Sequence, residues 1–531
     1  MIHDNLLLII SLLFIVSMLT MLSEKIGVSY PIFLVIAGLL ISFIPGMPHM
    51  QLEPDWVFLI FLPPLLYSAA WNTSWKDFWE SRRPIGLLSI GLVVFTATAV
   101  AYLSSAIIPG FTLAMGFLLG GVISPPDAVA ATSVLQGLKV PKRVVTILEG
   151  ESLVNDASSL IVFRFALATI ATGEFVLWKA EVNFFVVAGM GIVVGLVIGH
   201  ILYFVHKYFP TTPSIDTALT FITPYMMYIA AEHFEYSGVL AVVSGGLFLS
   251  FRAHEVFAYQ SRMQSTYVWE TVIFLLNGIV FILIGLQLPE VMIGLQAYTL
   301  GEVISYAVII SIVTIIIRII WVYPGTYLPH LLSKKVREKE ARPSWRTTFI
   351  VAWSGMRGVV SLASALAIPL TLDGKAYPHR DLILFITFVV ILFTLVLQGL
   401  SLPWLIRLLK IEDPGENMTE QKAIINARLA TVSLEYMQSN YEGEISQFEP
   451  FRLLKDRYEK IIELADTRYL DIDNNATIGF ARAYRKMLVE IVGIKREEIR
   501  KIRRDKVCSD ELIRTKEREL DLEEARLRNS G

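Results

Sequence analysis

The chain has 531 residues, 54% of them hydrophobic and 18% charged, with a mean hydropathy of +0.57 and a net charge of −2. A soluble domain carries about 25% charged residues; here 22 Lys/Arg and 25 Asp/Glu crowd into the 121 residues after Lys410, leaving 24 and 23 for the first 410. A long apolar body with a short charged tail excludes a plain soluble enzyme, a disordered protein and a disulfide scaffold, and the balanced charge gives no ground for a nucleic-acid partner.

The N-terminus, Met-Ile-His-Asp-Asn, lacks the basic region of a cleavable signal, and the apolar run behind it meets no small-residue cleavage site. Residues 5–23 therefore read as the first membrane span. Twelve more apolar runs of spanning character follow: 29–44, 56–71, 84–107, 111–135, 145–172, 182–206, 215–232, 237–251, 269–288, 301–324, 346–370 and 381–409. The second, third and ninth are short and could be re-entrant or tilted. The runs are continuous rather than of period two, which excludes a membrane β-barrel. The expected fold is an all-α polytopic membrane protein of about 13 helices, residues 1–410, followed by a helical tail, 411–531.

Loop charge sets the orientation. With the N-terminus outside, the cytoplasmic loops hold Lys25; Lys76, Arg82 and Arg83; Lys139, Lys142 and Arg143; Lys207; Arg252 and Arg262; and Lys334, Lys335, Arg337, Lys339 and Arg342. The outside loops hold only Lys179, Lys375 and Arg380. Fifteen against three favours this orientation, and thirteen spans then leave the tail in the cytoplasm. The tail carries the one cysteine, Cys508, so no internal disulfide is available. Its last stretch, 495–528, alternates charge in a way that suits i,i+4 pairs on a helix. A solvated helix explains that pattern, and so does a regulatory or dimer-supporting module.

Ionisable residues inside spans carry the chemistry, since each costs about 2.5–3.5 kcal/mol at a helix centre. Asp127 follows Ser124-Pro125-Pro126, and two prolines in mid-span should break the helix. Unwound backbone is tolerated at membrane depth only where it is buried or lines a cavity, so Asp127 would sit beside freed carbonyls, an environment that suits a hard cation. The plainer alternative is a kink whose carboxylate caps the next half-helix. In Gly150-Glu-Ser-Leu-Val-Asn-Asp-Ala157, Ser152 and Asp156 share one helix face, and Glu151 and Asn155 another. Asp156 has no basic neighbour on its own turn. A carboxylate buried without a partner favours its neutral form, as a proton carrier requires; permanent pairing with Arg164, two turns on, is the alternative. Arg357 is bracketed by Gly355 and Gly358, which weaken the helix there. Its guanidinium stays charged, and its expected partner is Glu151. Arg164 and Arg318 have no assigned partner and read as structural.

With the seventh span as linker, spans 1–6 and 8–13 make two six-helix halves. The proline-broken fifth and glycine-broken twelfth then correspond, and such a pair of interrupted helices points to a transport site at the midplane.

These segments resemble the cation:proton antiporter superfamily, in the branch of bacterial NhaP-type and animal NHE-type sodium/proton exchangers. Phe61-Leu-Pro-Pro-Leu-Leu-Tyr67 resembles the family's early double-proline helix, Ser124-Pro-Pro-Asp127 and Gly355-Met-Arg-Gly358 its two unwound helices, and Gly150 to Ala157 its Asn-Asp motif, the most specific of the four. The resemblance covers about 1–410. It implies two inverted six-helix repeats with crossed, unwound helices, an elevator-like movement and a homodimer. It implies that Asp156 is the essential carboxylate, with Asp127 beside it, that Ser152 supplies a cation-ligand oxygen, that Asn155 stabilises the crossed helices, and that Glu151 pairs with Arg357. Na+ would then bind at Asp156, Asp127 and Ser152. An Asn before the essential Asp is the electroneutral pattern. Members often carry a hydroxyl and then Asp-Pro in the first break; here Pro126 precedes Asp127 and Ala128 follows it, so one side-chain ligand is missing and cation choice is open.

The expected activity is antiport of Na+ or Li+ against H+ in a bacterial plasma membrane, with no enzymatic step and no cofactor beyond the transported ions. Lipid surrounds the body, and a regulatory ligand on the tail is a further expected partner. K+/H+ or broad monovalent exchange is the nearest alternative; a channel or an intramembrane aspartic protease is the alternative from another class. The protease is disfavoured by the absence of a Gly-x-Gly-Asp element.

Overall fold

A bilayer offers the backbone no hydrogen bonds, so long apolar runs are satisfied by helix. In the computed structural model of the chain each of the thirteen runs is mostly helical over its described residues, the fifth and twelfth being interrupted in mid-run. Described are residues 2–44, 57–135, 138, 140–173, 177–295, 298–339, 343–372, 374–411, 418–467, 474–504 and 510–529. Lys139, Arg342 and Cys508, used above, lie outside them.

In chain order come α1 (Ile2–Ile26), α2 (Tyr30–Ser42), and α3 (Leu62–Asn72), entered through a π-helical turn at Val57–Phe61. The short α4 (Trp75–Glu80) precedes α5 (Arg82–Gly86), which runs through a π segment, Leu87–Leu92, into α6 (Val93–Ile107). Then follow α7 (Leu113–Ile123), α8 (Ala128–Leu135), α9 (Lys142–Thr172), α10 (Leu177–Tyr208), α11 (Pro213–His233), α12 (Gly238–Val256), α13 (Tyr259–Leu286) and the short α14 (Leu288–Ile293). The last part of the body holds α15 (Leu300–Leu332), α16 (Lys334–Lys339), α17 (Trp345–Trp353), α18 (Val359–Leu366) and α19 (Arg380–Leu408). A two-stranded antiparallel hairpin, β1 (Thr371–Leu372) and β2 (Lys375–Ala376), precedes α19 and turns through Gly374 at φ +75°.

Among the described residues, nine helical stretches are long and apolar enough to cross a membrane; Tyr30–Ser42 and Phe58–Asn72 are shorter apolar helices. Apolar side chains on α10, such as Phe185, Val197, Ile201 and Phe204, are exposed, as lipid-facing residues should be. Between helices the backbones come close where side chains are small. Gly116 and Gly120 set α7 against Ala101 and Ala97 of α6, and a Cβ on either glycine would come within 2.6 Å of those backbones.

The chain divides into two compact units, Met1–Pro414 and Gly415–Gly531. The second is helical: α20 (Met418–Asn440), α21 (Glu442–Gln447), α22 (Glu449–Thr467), α23 (Asn474–Arg504) and α24 (Asp510–Asn529). α20 packs on α22, and α23 on α24. Among the described residues of 495–528, Lys501 pairs with Glu498 and Lys516 with Glu519 within one helix, at a spacing of three rather than the expected four. The stretch folds back, and Lys495 bridges to Glu523 at 3.0 Å while Arg496 bridges to Asp521 and Glu524 at 2.6 and 2.8 Å, joining two helices.

Candidate functional site

Pro125 and Pro126 lack the N–H a helix needs, and between α7 and α8 the chain is non-helical from Pro125 to Asp127. The second break, Ser354–Gly358, separates α17 from α18. The two breaks touch: the Asp127 N–H donates to Met356 O at 2.7 Å.

This contact brings four half-helix ends together, and the charged side chains sort themselves by end. The C-terminal ends of α7 and α17 present carbonyls, and Arg357 lies at the first of them and against the break that follows the second. Its Nε donates to Ile123 O at 3.0 Å and its Nη1 to Gly355 O. The opposite ends present N–H groups. Asp127 caps α8, with Oδ1 accepting from Val129 N at 2.8 Å, and its Oδ2 lies against Gly358, just before α18. A cation at helix C-termini and a carboxylate at helix N-termini both oppose the local dipole. A Cβ on Gly358 would overlap the Asp127 carboxylate, so glycine is required there by space. The cap reading of Asp127 thus describes Oδ1, while Oδ2 faces the second break.

α9 crosses beside the breaks. Asn155 is fully buried, and its Nδ2 donates to Pro126 O at 2.9 Å, giving that freed carbonyl a partner. Ser152 Oγ accepts from Ala128 N at 3.3 Å. Ser152 and Asp156 line a cavity of about 210 Å³ that also reaches Asp127, Pro125, Pro126 and Gly358. Asp156 is 6% exposed, and among the described residues no group donates to its carboxylate; Arg164 bonds instead to Glu232, at 2.6 Å.

Glu151 does not pair with Arg357. Its two oxygens accept from Arg318 Nη1 and Nη2 at 2.5 and 2.7 Å, and Arg318 also donates to Val351 O. All three charged side chains are at most 1% exposed. The reason is that Arg318 projects from α15 onto the side of α9 away from the cavity, while the second break turns Arg357 toward the helix carbonyls. Gly355 lies between the two arginines: a Cβ there would fall 2.8 Å from Arg318 Nε and 3.0 Å from Arg357 Nη1.

The structure thus brings Asp156, Asp127 and Ser152 to one cavity and sets Asn155 and Glu151 outside its lining. Sequence reasoning missed Asn72, Thr132 and Asn277, polar residues that also line it, and gave Glu149 no role although it does so too. The signal for Glu149 was its place two residues before Glu151; Asn72 and Thr132 look like ordinary polar residues near span ends, and Asn277, in mid-span, carries no charge to mark it. Arg318 was legible as a lone charge in an apolar run, but its partner was not.

A family profile described as sodium/hydrogen exchanger, transmembrane, matches residues 9–408. A protein of Bacillus pumilus named sodium, potassium, lithium and rubidium/H+ antiporter is 34% identical over 71% of this chain and 57% of its own length. The chain thus spans little more than half of that relative. A Mycobacterium bovis protein named as an uncharacterized Na+/H+ exchanger is 30% identical over 98% of this chain and 96% of its own. Among solved structures, the sodium proton antiporter MjNhaP1 of Methanocaldococcus jannaschii superposes with a TM-score of 0.60 at 18% identity, over 75% of this chain and 99% of that one.

Proposed function

The chain belongs to the sodium/hydrogen exchanger family of NhaP/NHE-type cation:proton antiporters, and on that premise we propose that it exchanges Na+ or Li+ for H+, one for one, across the plasma membrane. The N-terminus is outside and the tail in the cytoplasm. The working unit is a homodimer, with no cofactor beyond the ions carried.

The observation that carries this reading is the unpaired carboxylate of Asp156 facing a cavity. A bare carboxylate is costly to move through a low-dielectric barrier. Neutralised by H+ or by a monovalent cation, it moves freely. Cation and proton therefore compete for Asp156, and alternation between the two loaded states gives exchange without net current. Asp127 and Ser152 supply further hard oxygens for the cation. Asn155 and the Arg318–Glu151 pair hold the broken helices in place around it. The Asn before Asp156 adds no second charge to balance.

Broad monovalent selectivity, K+ included, is the second reading. The name of the Bacillus pumilus relative, a sodium, potassium, lithium and rubidium/H+ antiporter, favours it. So does the sparse ligand set, since Asp127 gives one oxygen to its helix cap.

The test is reconstitution in liposomes with a pH gradient and a trapped pH dye, adding Na+, Li+, K+ and choline in turn. Collapse of the gradient by Na+ and Li+, unchanged when the voltage is clamped, is the expected result. An equal response to K+ selects the second reading. No response to any cation across a broad pH range overturns antiport.

A further inference from the structure

The tail unit contains a helix with two apolar faces, of which only one is covered. On α20, Ala430 and Met437 are 2% and 8% exposed, and this side packs on α22. The opposite side carries Ile425, Leu429, Val432 and Tyr436, each 57–65% exposed. At 100° per residue these four fall within an arc of about 60°. Their intervals of four, three and four are the d-a-d-a alternation of a coiled-coil seam.

The charges beside the seam identify the occupant. Arg428 and Glu435 each precede an a position, so both are g residues, and among the described residues neither is in an ion pair. In a parallel pair of α20 helices, g faces e, and the e residues Asn426 and Ser433 are uncharged. In an antiparallel pair, g faces g. Ile425 then layers with the partner's Tyr436 and Leu429 with the partner's Val432, while Arg428 meets the partner's Glu435, twice by symmetry. Charge complementarity is present only in the antiparallel arrangement.

We propose that this face of α20 is an interface with a second copy of the chain, formed as an antiparallel helix pair. Four layers bury far less than the roughly 1,200–2,000 Å² of a stable free-standing interface. Two chains anchored in one bilayer meet at a much higher effective concentration, which makes a small seam sufficient. The inference rests on membrane anchoring and is independent of what the body transports, so either can fail alone.

The test uses the full chain in lipid vesicles with Cys508→Ser as background. Ile425→Cys and Tyr436→Cys chains, carrying different tags, are mixed before reconstitution and oxidised. A disulfide between the differently tagged chains is expected, at least about fivefold above the like-with-like links, whose positions lie about 16 Å apart along the antiparallel pair. Arg428→Glu or Glu435→Arg alone should lower the yield severalfold, and the two together should restore it, because the swapped charges face each other again. These sites are exposed, and unchanged helical circular dichroism checks the fold. Dominant 425–425 links would overturn the antiparallel pair. Absence of links, with all four seam positions shielded from a maleimide only in the presence of lipid, would mean that the face lies on the bilayer and would overturn the proposal altogether.

Discussion

Glu151 and Asp156 lie five residues apart on one helix, are both almost fully buried, and have opposite surroundings. Glu151 has both oxygens held by Arg318 in a fork at 2.5 and 2.7 Å. Asp156 faces a cavity with no donor among the described residues. The first is a fixed charge with a fixed partner; the second has no partner among the described residues, and on the function proposed above it is satisfied by the ion that arrives. Sequence chemistry alone makes both "a carboxylate in a membrane". The difference between strut and site is made by what packs against each side of α9.

Replacing Asp156 should break this contrast most visibly. Asp156→Asn keeps the shape and removes the charge, so exchange should fall at least about 100-fold in the liposome assay while the detergent melting temperature holds or rises. Glu151→Gln should do the reverse. It leaves Arg318 buried without its counter-ion, at a cost of about 3–5 kcal/mol, seen as a lowered melting temperature and poor yield. Glu151→Gln combined with Arg318→Gln should regain much of that loss, since neither group is then an unpaired charge. Equal destabilisation by Asp156→Asn and Glu151→Gln would contradict the division.

The same contrast shows what the sequence could carry. The spans were legible because hydropathy is a property of consecutive residues. The breaks were legible because Pro125-Pro126 and the Gly355/Gly358 bracket act on their own backbone. That Ser152 and Asp156 share a face, with Asn155 on another, follows from helical period alone. The partner of Glu151 was not legible: it lies 167 residues away, and two arginines in apolar runs were equally available by spacing. Nor was the sharing of Arg357 between the C-terminus of α7 and a carbonyl of its own break, because carbonyls leave no mark in a sequence. In the tail, charge alternation was legible as pairing within a helix, which Glu498–Lys501 and Lys516–Glu519 show, but the packing of α23 on α24 adds pairs between helices that spacing could not give.

At the crossing the expected effects are smaller. Gly358→Ala places a methyl against the Asp127 carboxylate; the breaks must part to admit it, at about 1–3 kcal/mol, and exchange should drop about tenfold. Gly355→Ala, crowding the two arginines, serves as the control on the strut side: it should lower the melting temperature more than it changes the cation dependence of the residual rate. Asn155→Ala removes the donor to Pro126 O and leaves a buried carbonyl unsatisfied, worth about 1–3 kcal/mol. Its signature should be a lowered melting temperature with cation preference unchanged, because Asn155 stands outside the cavity lining.

The mildest change tests where the site side begins. Glu149 lines the same cavity as Asp156, seven residues nearer the N-terminal end of α9, hence about 10 Å along the axis. That is too far to ligate the same ion as Asp156, but close enough for its charge to concentrate cations at the mouth. Glu149→Gln should therefore raise the apparent KM for the cation about two- to fivefold at low ionic strength and leave the maximal rate unchanged. Screening shortens the reach of an exposed charge to about 10 Å at 0.1 M salt, so raising the ionic strength with choline chloride should bring mutant and wild type together. A fall in the maximal rate that salt does not relieve would place Glu149 in the moving site itself and carry the boundary between strut and site below Glu151.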